Sequence, residues 1–191
     1  MIKIALFASG SGTNAENIAN YFKDSKEIEI TTILCSSPTA YVLTRAEKLN
    51  IPTFVFNKQD FMHTDKVLNY LQQQQIDLIV LAGFLWLVPS TLVEHYSGRI
   101  INIHPALMPK HCGKGMYGMK VHQEVVDQHD LQSGITIHQV NEKFDDGSIL
   151  FQATCPVCPS DTAEEVAQKV HQLEYAHFPH VIEEVALGLE K

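Results

Sequence analysis

Asn102-Ile103-His104-Pro105 carries an amide and an imidazole two residues apart, at the end of the apolar run Arg99 to His104. In an extended strand alternate residues share a face, so the two polar groups reach one point in space. The run stops at Pro105 and opens a segment to Gly118 with three glycines, two prolines and no period, which predicts a loop. Carboxyl ends of strands are where open α/β sheets keep their chemistry. A carboxylate to complete the group is Asp145, in the turn Glu142 to Gly147. An amide, an imidazole and a carboxylate are poor metal ligands as a set, but they suit acyl transfer to an amine. Asn102 and His104 N–H groups would meet negative charge developing on oxygen. Asp145 would take the proton lost by the amine, directly or through water. Asp146 beside it predicts a raised pKa wherever the two carboxylates approach each other. Each piece alone has a plainer reading: His104 as a hydrogen-bonded core histidine, Asp145-Asp146-Gly147 as a good turn. With ten histidines, chance neighbours are common, and His111, His122, His129 and His138 are given no catalytic role.

A second constellation precedes it. Ser9-Gly10-Ser11-Gly12-Thr13-Asn14-Ala15 follows the first apolar run and opens a helical pattern, where backbone N–H groups and the helix dipole favour a phosphate. The spacing is also GxGxxA, the dinucleotide fingerprint, but that use wants an acid ending the second strand, and Cys35-Ser36-Ser37 stands there. No Gly-Lys-Ser/Thr follows, which excludes a Walker loop. A mononucleotide-like phosphate is the expected ligand, against a plain strand-to-helix turn with none.

The elements that must position these groups alternate. Strands are predicted at Ile2 to Ala8, Ile28 to Cys35, Thr53 to Phe56, Asp77 to Ala82 and Arg99 to His104. Helices are predicted at Ala15 to Lys23, Thr39 to Leu49, Asp60 to Gln74 and Ser90 to Tyr96. Such alternation implies a parallel, Rossmann-like α/β sheet built by right-handed crossovers and flanked by helices. After a helix from Lys120 to Gln128, the runs Gly134 to Val140 and Ser148 to Thr154 predict an antiparallel strand pair at the C-terminal edge. The last helix starts near Asp161, where Thr162-Ala163-Glu164-Glu165 has capping-box spacing, and Pro179 is expected to kink or interrupt it.

Bulk properties set the class. The chain has 191 residues, 45% hydrophobic and 19% charged, and reads as one domain over 1–191. A net charge of -8 argues against broad nucleic-acid or membrane-surface binding. The longest apolar stretch, Leu78 to Val88, falls short of the roughly 20 residues that span a bilayer, and the N-terminus lacks the pattern of a signal peptide. A cytoplasmic protein, monomer or homodimer, is expected. Of four cysteines, Cys155 and Cys158 have CxxC spacing, but no second pair completes a zinc site, and Pro159-Ser160-Asp161 separates them from the next helix. They are read as two small apolar residues ending a strand; no metal is expected.

Over nearly its whole length the chain resembles the folate-dependent phosphoribosylglycinamide formyltransferases, also called glycinamide ribonucleotide transformylases. The resemblance runs through Ser9 to Asn14, Leu81-Ala82-Gly83-Phe84, Gly98 to Lys110 and Phe144-Asp145-Asp146-Gly147. It implies formyl transfer from 10-formyltetrahydrofolate to the amine of glycinamide ribonucleotide in de novo purine synthesis. It also implies that Asn102, His104 and Asp145 are the catalytic trio. By the same matching, Gly12, Thr13 and Asn14 would hold the phosphate, and His171, Gln172 and Glu174 the rest of the ribonucleotide, with Glu174 on the amine. The folate would lie across Leu85, Trp86, Leu87 and Val88 and along Asn141, Glu142, Lys143 and Phe144. Trp86 stands where many relatives carry arginine, and the Gly113 to Gly118 stretch is longer than in some.

Methionyl-tRNA formyltransferases and formyltetrahydrofolate hydrolases share the Asn-x-His and Asp arrangement. They add a C-terminal nucleic-acid-binding domain and an N-terminal regulatory domain respectively, for which this chain is expected to have no room. A non-catalytic nucleotide-binding module is opposed by the intact trio, and a dehydrogenase by Ser36-Ser37.

Overall fold

Alternation along Ile2–Ala8 (β1) sends Ile4, Leu6 and Ala8 into one apolar layer and Ala5 and Phe7 into another, so this strand is buried on both faces. The computed structural model describes residues 1–189. β1 lies inside a seven-stranded sheet with Ile28–Cys35 (β2), Thr53–Val55 (β3), Leu78–Leu81 (β4), Ile100–His104 (β5), Gln132–Gln139 (β6) and Ile149–Pro156 (β7), in the order β3-β2-β1-β4-β5-β6-β7. The first five strands run parallel, β6 is antiparallel to β5, and β7 is antiparallel to β6. This is the expected Rossmann-like sheet with its antiparallel edge.

One face is covered by Thr13–Phe22 (α1), Val42–Lys48 (α2), Met119–Asp127 (α6) and Ala163–Leu187 (α7), which contribute Ile18, Phe22, Val42, Val125, Val166, Val170 and Phe178. The other is covered by Lys58–His63 (α3), Lys66–Gln73 (α4) and Ser90–His95 (α5), with Phe61, Val67, Leu71 and Leu92 against the sheet. From β1 the chain builds outward through β2 to β3, then returns to place β4 on the other side of β1. That reversal opens a crevice at the carboxyl ends of β1 and β4.

Three local expectations change. The helix predicted from Asp60 to Gln74 is two helices, because Thr64 is extended (φ -139°, ψ 162°) and its hydroxyl donates to Asp60 O while accepting the Lys66 N–H. The helix predicted from Thr39 begins at Val42, after a turn in which the Ala40 N–H donates to Ser37 O. The third is Pro179, which neither ends nor interrupts the 25-residue α7. Proline cannot donate to the carbonyl four residues back, and that carbonyl, Tyr175 O, instead accepts the Asn17 side-chain amide from α1 at 3.1 Å. The N-terminus of α7 is closed by the expected capping box of Thr162 and Glu165.

Cys155 is buried in β7, Cys158 is exposed in the following turn, and both are free thiols, so only the first behaves as a small apolar strand residue. Among the described residues no helix is long and apolar enough to cross a membrane.

Candidate active site

Ile100, Asn102 and His104 share one face of β5; Ile100 joins the core beneath α4 and α5, while the two polar residues lie beyond those helices at the strand's carboxyl end. They open into a cavity of about 600 Å3, a size typical of small-molecule sites. The cavity sits at the sheet's reversal. Ser9 N–H donates to Gly83 O at 3.0 Å, and Leu85 N–H to Ser9 Oγ at 3.2 Å, which ties the loop after β1 to the loop after β4.

At one end lies the glycine loop. Gly12 has φ 74°, and a Cβ there would meet Val42 Cγ2 at 2.3 Å, so both the backbone conformation and the packing against α2 require glycine. Behind it Arg45 Nε donates to Ser11 O at 2.8 Å, and its guanidinium pairs with Glu16. Gly12, Thr13 and Asn14 line the cavity at the N-terminus of α1. Ser36, where a dinucleotide site would hold an acid, spends its hydroxyl on Ser9 Oγ at 2.8 Å. Across from the loop, Glu174 of α7 is 6% exposed and accepts the Asn14 side-chain amide at 2.9 Å. Burial pushes its carboxyl pKa up, against the pull of the Asn14 hydrogen bond and of His171. His171 lines the cavity one helical turn away, whereas Gln172 is exposed and does not.

Another stretch of the wall is largely apolar. Phe84, Leu85, Trp86, Leu87, Val88, Val140, Lys143 and Phe144 line it. Trp86 packs edge-on to Phe56 and Phe84 at ring separations of 5.9 and 6.0 Å, closing an aromatic cluster that backs this wall. Asn141 and Glu142 do not reach the cavity: the Asn141 amide instead donates to Asp146 Oδ2 at 3.1 Å and its Oδ1 accepts the Lys143 N–H.

Asp145 also lines the cavity, at φ 47° in a turn that can fold back onto β6 because Gly147 has no side chain; a Cβ there would fall 1.7 Å from Gln139 O. Asp145 Oδ2 lies 3.5 Å from His104 Nδ1 and accepts the Gly113 N–H at 3.0 Å, while Oδ1 lies 3.4 Å from Asn102 Nδ2. The trio drawn from the sequence is therefore one contact group.

His138, left aside in the sequence reading, belongs to this group. It pairs with Asn102 across β5 and β6, and its Nε2 lies 3.1 Å from Asn102 Nδ2 and 3.5 Å from Asp145 Oδ1. The available signal was the alternation Thr136, His138 in a strand antiparallel to β5; the register that sets His138 opposite Asn102 is not written in spacing. Two loop main-chain groups were also missed. The His111 carbonyl accepts from His104 Nε2 at 2.8 Å, and the Gly113 N–H holds Asp145. His111 is itself anchored through Nε2 to Asp130 Oδ2 at 2.6 Å, and Lys110 reaches Asp130 Oδ1 at 2.9 Å.

Protons follow from these partners. A carbonyl can only accept, so His104 carries hydrogen on Nε2 and, when neutral, turns the Nδ1 lone pair to Asp145. Burial, at 3% exposure, pushes the His104 pKa down, and the Asp145 charge only partly offsets this. By the same reasoning His138 donates from Nδ1 to Gln139 O at 2.8 Å, leaving Nε2 to accept from Asn102 in the neutral ring. Burial works to raise the Asp145 pKa, but the flanking His138 and His104 and the Gly113 N–H that donates to it together hold it below the ordinary range. This corrects the expected rise, because Asp146 points away, toward Asn141 and Lys143. The expected pair of oxyanion donors is also reduced to one: the His104 N–H is committed to His111 O, and the Asn102 amide remains, its contact to Asp145 being long at 3.4 Å.

An anionic carboxylate between two imidazoles, at the carboxyl edge of an open parallel sheet and facing a phosphate-type loop, is the layout of a group-transfer enzyme. The formyl transferase family model matches residues 2–182, and the chain belongs to that family. It is 36% identical over 187 residues to the phosphoribosylglycinamide formyltransferase of Haemophilus influenzae, covering 95% of this chain and 86% of the relative. It is 35% identical over 194 residues to the enzyme of the same name from Bacillus subtilis, covering 99% and 96%. The crystal structure of glycinamide ribonucleotide transformylase 1 from Geobacillus kaustophilus matches with a TM-score of 0.89 at 33% identity, over 97% of this chain and 99% of that one.

Proposed function

We propose that the chain transfers the formyl group of 10-formyltetrahydrofolate to the amine of glycinamide ribonucleotide, a step of de novo purine synthesis. The observation that carries this reading is that one cavity is lined by all three sets of groups: the glycine loop with Glu174, the cluster of Asn102, His104 and Asp145, and the apolar wall of Leu85 to Val88 and Phe144. The phosphate goes to the N–H groups of Gly12 to Asn14, and Glu174 holds the amine. The apolar wall, with main-chain groups of Leu85 to Val88 at its surface, fits a flat heterocycle with polar edges. Formyl-folate supplies the electrophilic carbon.

Each residue then has a separable task. Asn102 presents its amide to the formyl oxygen as negative charge gathers there. The amine loses a proton as its bond to carbon forms, and His104, kept neutral by burial, offers the Nδ1 lone pair. Asp145, already ionised, stabilises the imidazolium this creates, and the proton passes on to the departing folate nitrogen as the old carbon–nitrogen bond breaks. No nucleophilic side chain and no covalent enzyme intermediate are required.

Purified protein mixed with glycinamide ribonucleotide and 10-formyltetrahydrofolate should release tetrahydrofolate, followed by absorbance, and His104→Ala should lower turnover by about 10² to 10⁴ with ribonucleotide binding retained. No turnover by the wild-type chain overturns the reading. Unfolding of the His104→Ala protein would mark His104 as a core residue instead.

A further inference from the structure

The turn from His111 to Gly113 touches the polar cluster twice, both times through main-chain atoms: His111 O accepts from His104 Nε2 at 2.8 Å, and the Gly113 N–H donates to Asp145 Oδ2 at 3.0 Å. Main-chain atoms aim only as well as the turn that carries them is held. His111 adopts φ 50°, in the left-handed region that a residue with a Cβ enters rarely and at a cost. Its own side chain supplies the hold, since Nε2 meets Asp130 Oδ2 at 2.6 Å. A carboxylate can only accept, so the imidazole donates. Both side chains are largely buried, at 11% and 16% exposure, whereas Lys110, the other partner of Asp130, is 70% exposed. An exposed ion pair contributes little, so the histidine is the main anchor. Asp130 is fixed in turn just past α6, where its N–H donates to Val125 O at 3.1 Å. Neither His111 nor Asp130 lines the cavity.

What this anchor decides is the place of one proton. The titratable groups around His104 are Asp145, His138, His111 and His122. His122 is uncharged at neutral pH, because burial and then the neighbouring His171 and His104 push its pKa down to about 4. Asp145 is the anion that faces the ring, with Oδ2 3.5 Å from Nδ1. A neutral imidazole has one N–H, and the nitrogen that carries it is set by the hydrogen bond open to each. Left to itself, the carboxylate would draw that proton to Nδ1. The His111 carbonyl competes for it at Nε2, and from the shorter distance.

We propose that His111 and Asp130 are positioning residues, which fix this carbonyl so that neutral His104 keeps its hydrogen on Nε2 and its lone pair on Nδ1. The inference rests on the functional reading above, in which that lone pair takes the amine proton. Without the anchor the hydrogen moves to Nδ1, and the base loses the lone pair it works with.

The tautomer is read by ring-nitrogen NMR of the isotope-labelled full chain at neutral pH, with the His104 signals identified by their loss in His104→Ala. Wild type should show His104 protonated on Nε2, and His111→Phe and Asp130→Ala should each move the hydrogen largely to Nδ1. No substrate is present in this measurement, so absent wild-type turnover would remove the functional reading while the spectra still decide the tautomer. With an active wild type, each variant should lower kcat about tenfold and leave both KM values within about threefold, the scale of one hydrogen bond to a charged group. Combined, the two substitutions should still cost about tenfold rather than about a hundredfold, since the residues act as a pair. His111→Gln, whose amide can still donate to Asp130, should restore kcat to within about threefold of wild type and keep the Nε2 tautomer. A wild-type His104 protonated on Nδ1, or variants that keep the hydrogen on Nε2, would overturn the proposal. So would losses confined to KM, losses that multiply in the combined variant, or a Gln variant as impaired as the Phe variant.

Discussion

The polar group at the carboxyl end of β5 is held from two sides that differ in how they are made. Asn102, His104 and His138 stand on adjacent central strands, where backbone pairing fixes their directions. Asp145 and the groups that hold it and His104 in place, His111 O and Gly113 N–H, come from loops whose shape depends on a few long-range hydrogen bonds. The strand side supplies the imidazoles and the amide; the loop side supplies the anion and the main-chain groups that hold it. Rigid elements thus keep the groups that must be aimed, and loops keep those whose position rests on a few hydrogen bonds.

The sharpest way to break this division is Asp145→Asn. It keeps the turn and a similar shape but removes the anion, so kcat should fall by about 10³ or more, with a nearly unchanged melting temperature. Stopped-flow or steady-state folate release would read it. A loss below tenfold would leave the strand-borne imidazoles sufficient on their own.

A smaller effect is expected at Asp130, which touches nothing in the cavity and anchors the loop through His111 and Lys110. Asp130→Asn should lower kcat about tenfold and increase protease cleavage between residues 110 and 118, with little change in either binding constant; this is the scale of losing one hydrogen bond to a charged group. Cleavage that stays at the wild-type rate would detach the anchor from the loop.

The smallest effect concerns the strand and helix side under acid. A histidine whose folded pKa lies below its unfolded value stabilises the fold fully above the unfolded pKa, and that contribution is lost as pH falls toward the folded one. For His122, displaced from 6.5 to about 4, the loss occurs over that window and amounts to about 3 kcal/mol. His104 contributes in the same direction. Glu174, whose pKa is raised, works oppositely, since its contribution is lost as pH rises. Comparing chemical denaturation of wild type and His122→Leu across this range isolates the first effect. The variant should show the shallower acid limb; parallel curves would remove His122 from the balance.

What could be read from the sequence follows the same division. Period-two alternation was enough to place Asn102 and His104 on one face, and the strand–helix order was enough for the parallel sheet and its antiparallel edge. The glycine loop was legible because a φ of 74° against a packed Val42 leaves no alternative to Gly12. Asp145 entered through a turn motif and a family resemblance rather than through geometry. His138 was lost because strand register is a long-range property, and His111 and Gly113 because they act through main-chain atoms that any residue could supply. The Thr64 break turned on the two hydrogen bonds of one hydroxyl, and the unbroken passage through Pro179 on a single side-chain hydrogen bond.

That last bond reaches beyond helix continuity. Asn14, Asn17 and Tyr21 fall on one face of α1 and fasten α7 at Glu174, at Tyr175 O, and at His180 with Glu183. The helix whose N-terminus is proposed to receive the phosphate is thereby bolted to the helix that carries Glu174, the carboxylate proposed to hold the amine. The two jaws form a caliper fixed by these bonds before any substrate arrives, and on the proposed reading its opening is the span between phosphate and amine, whatever lies between them.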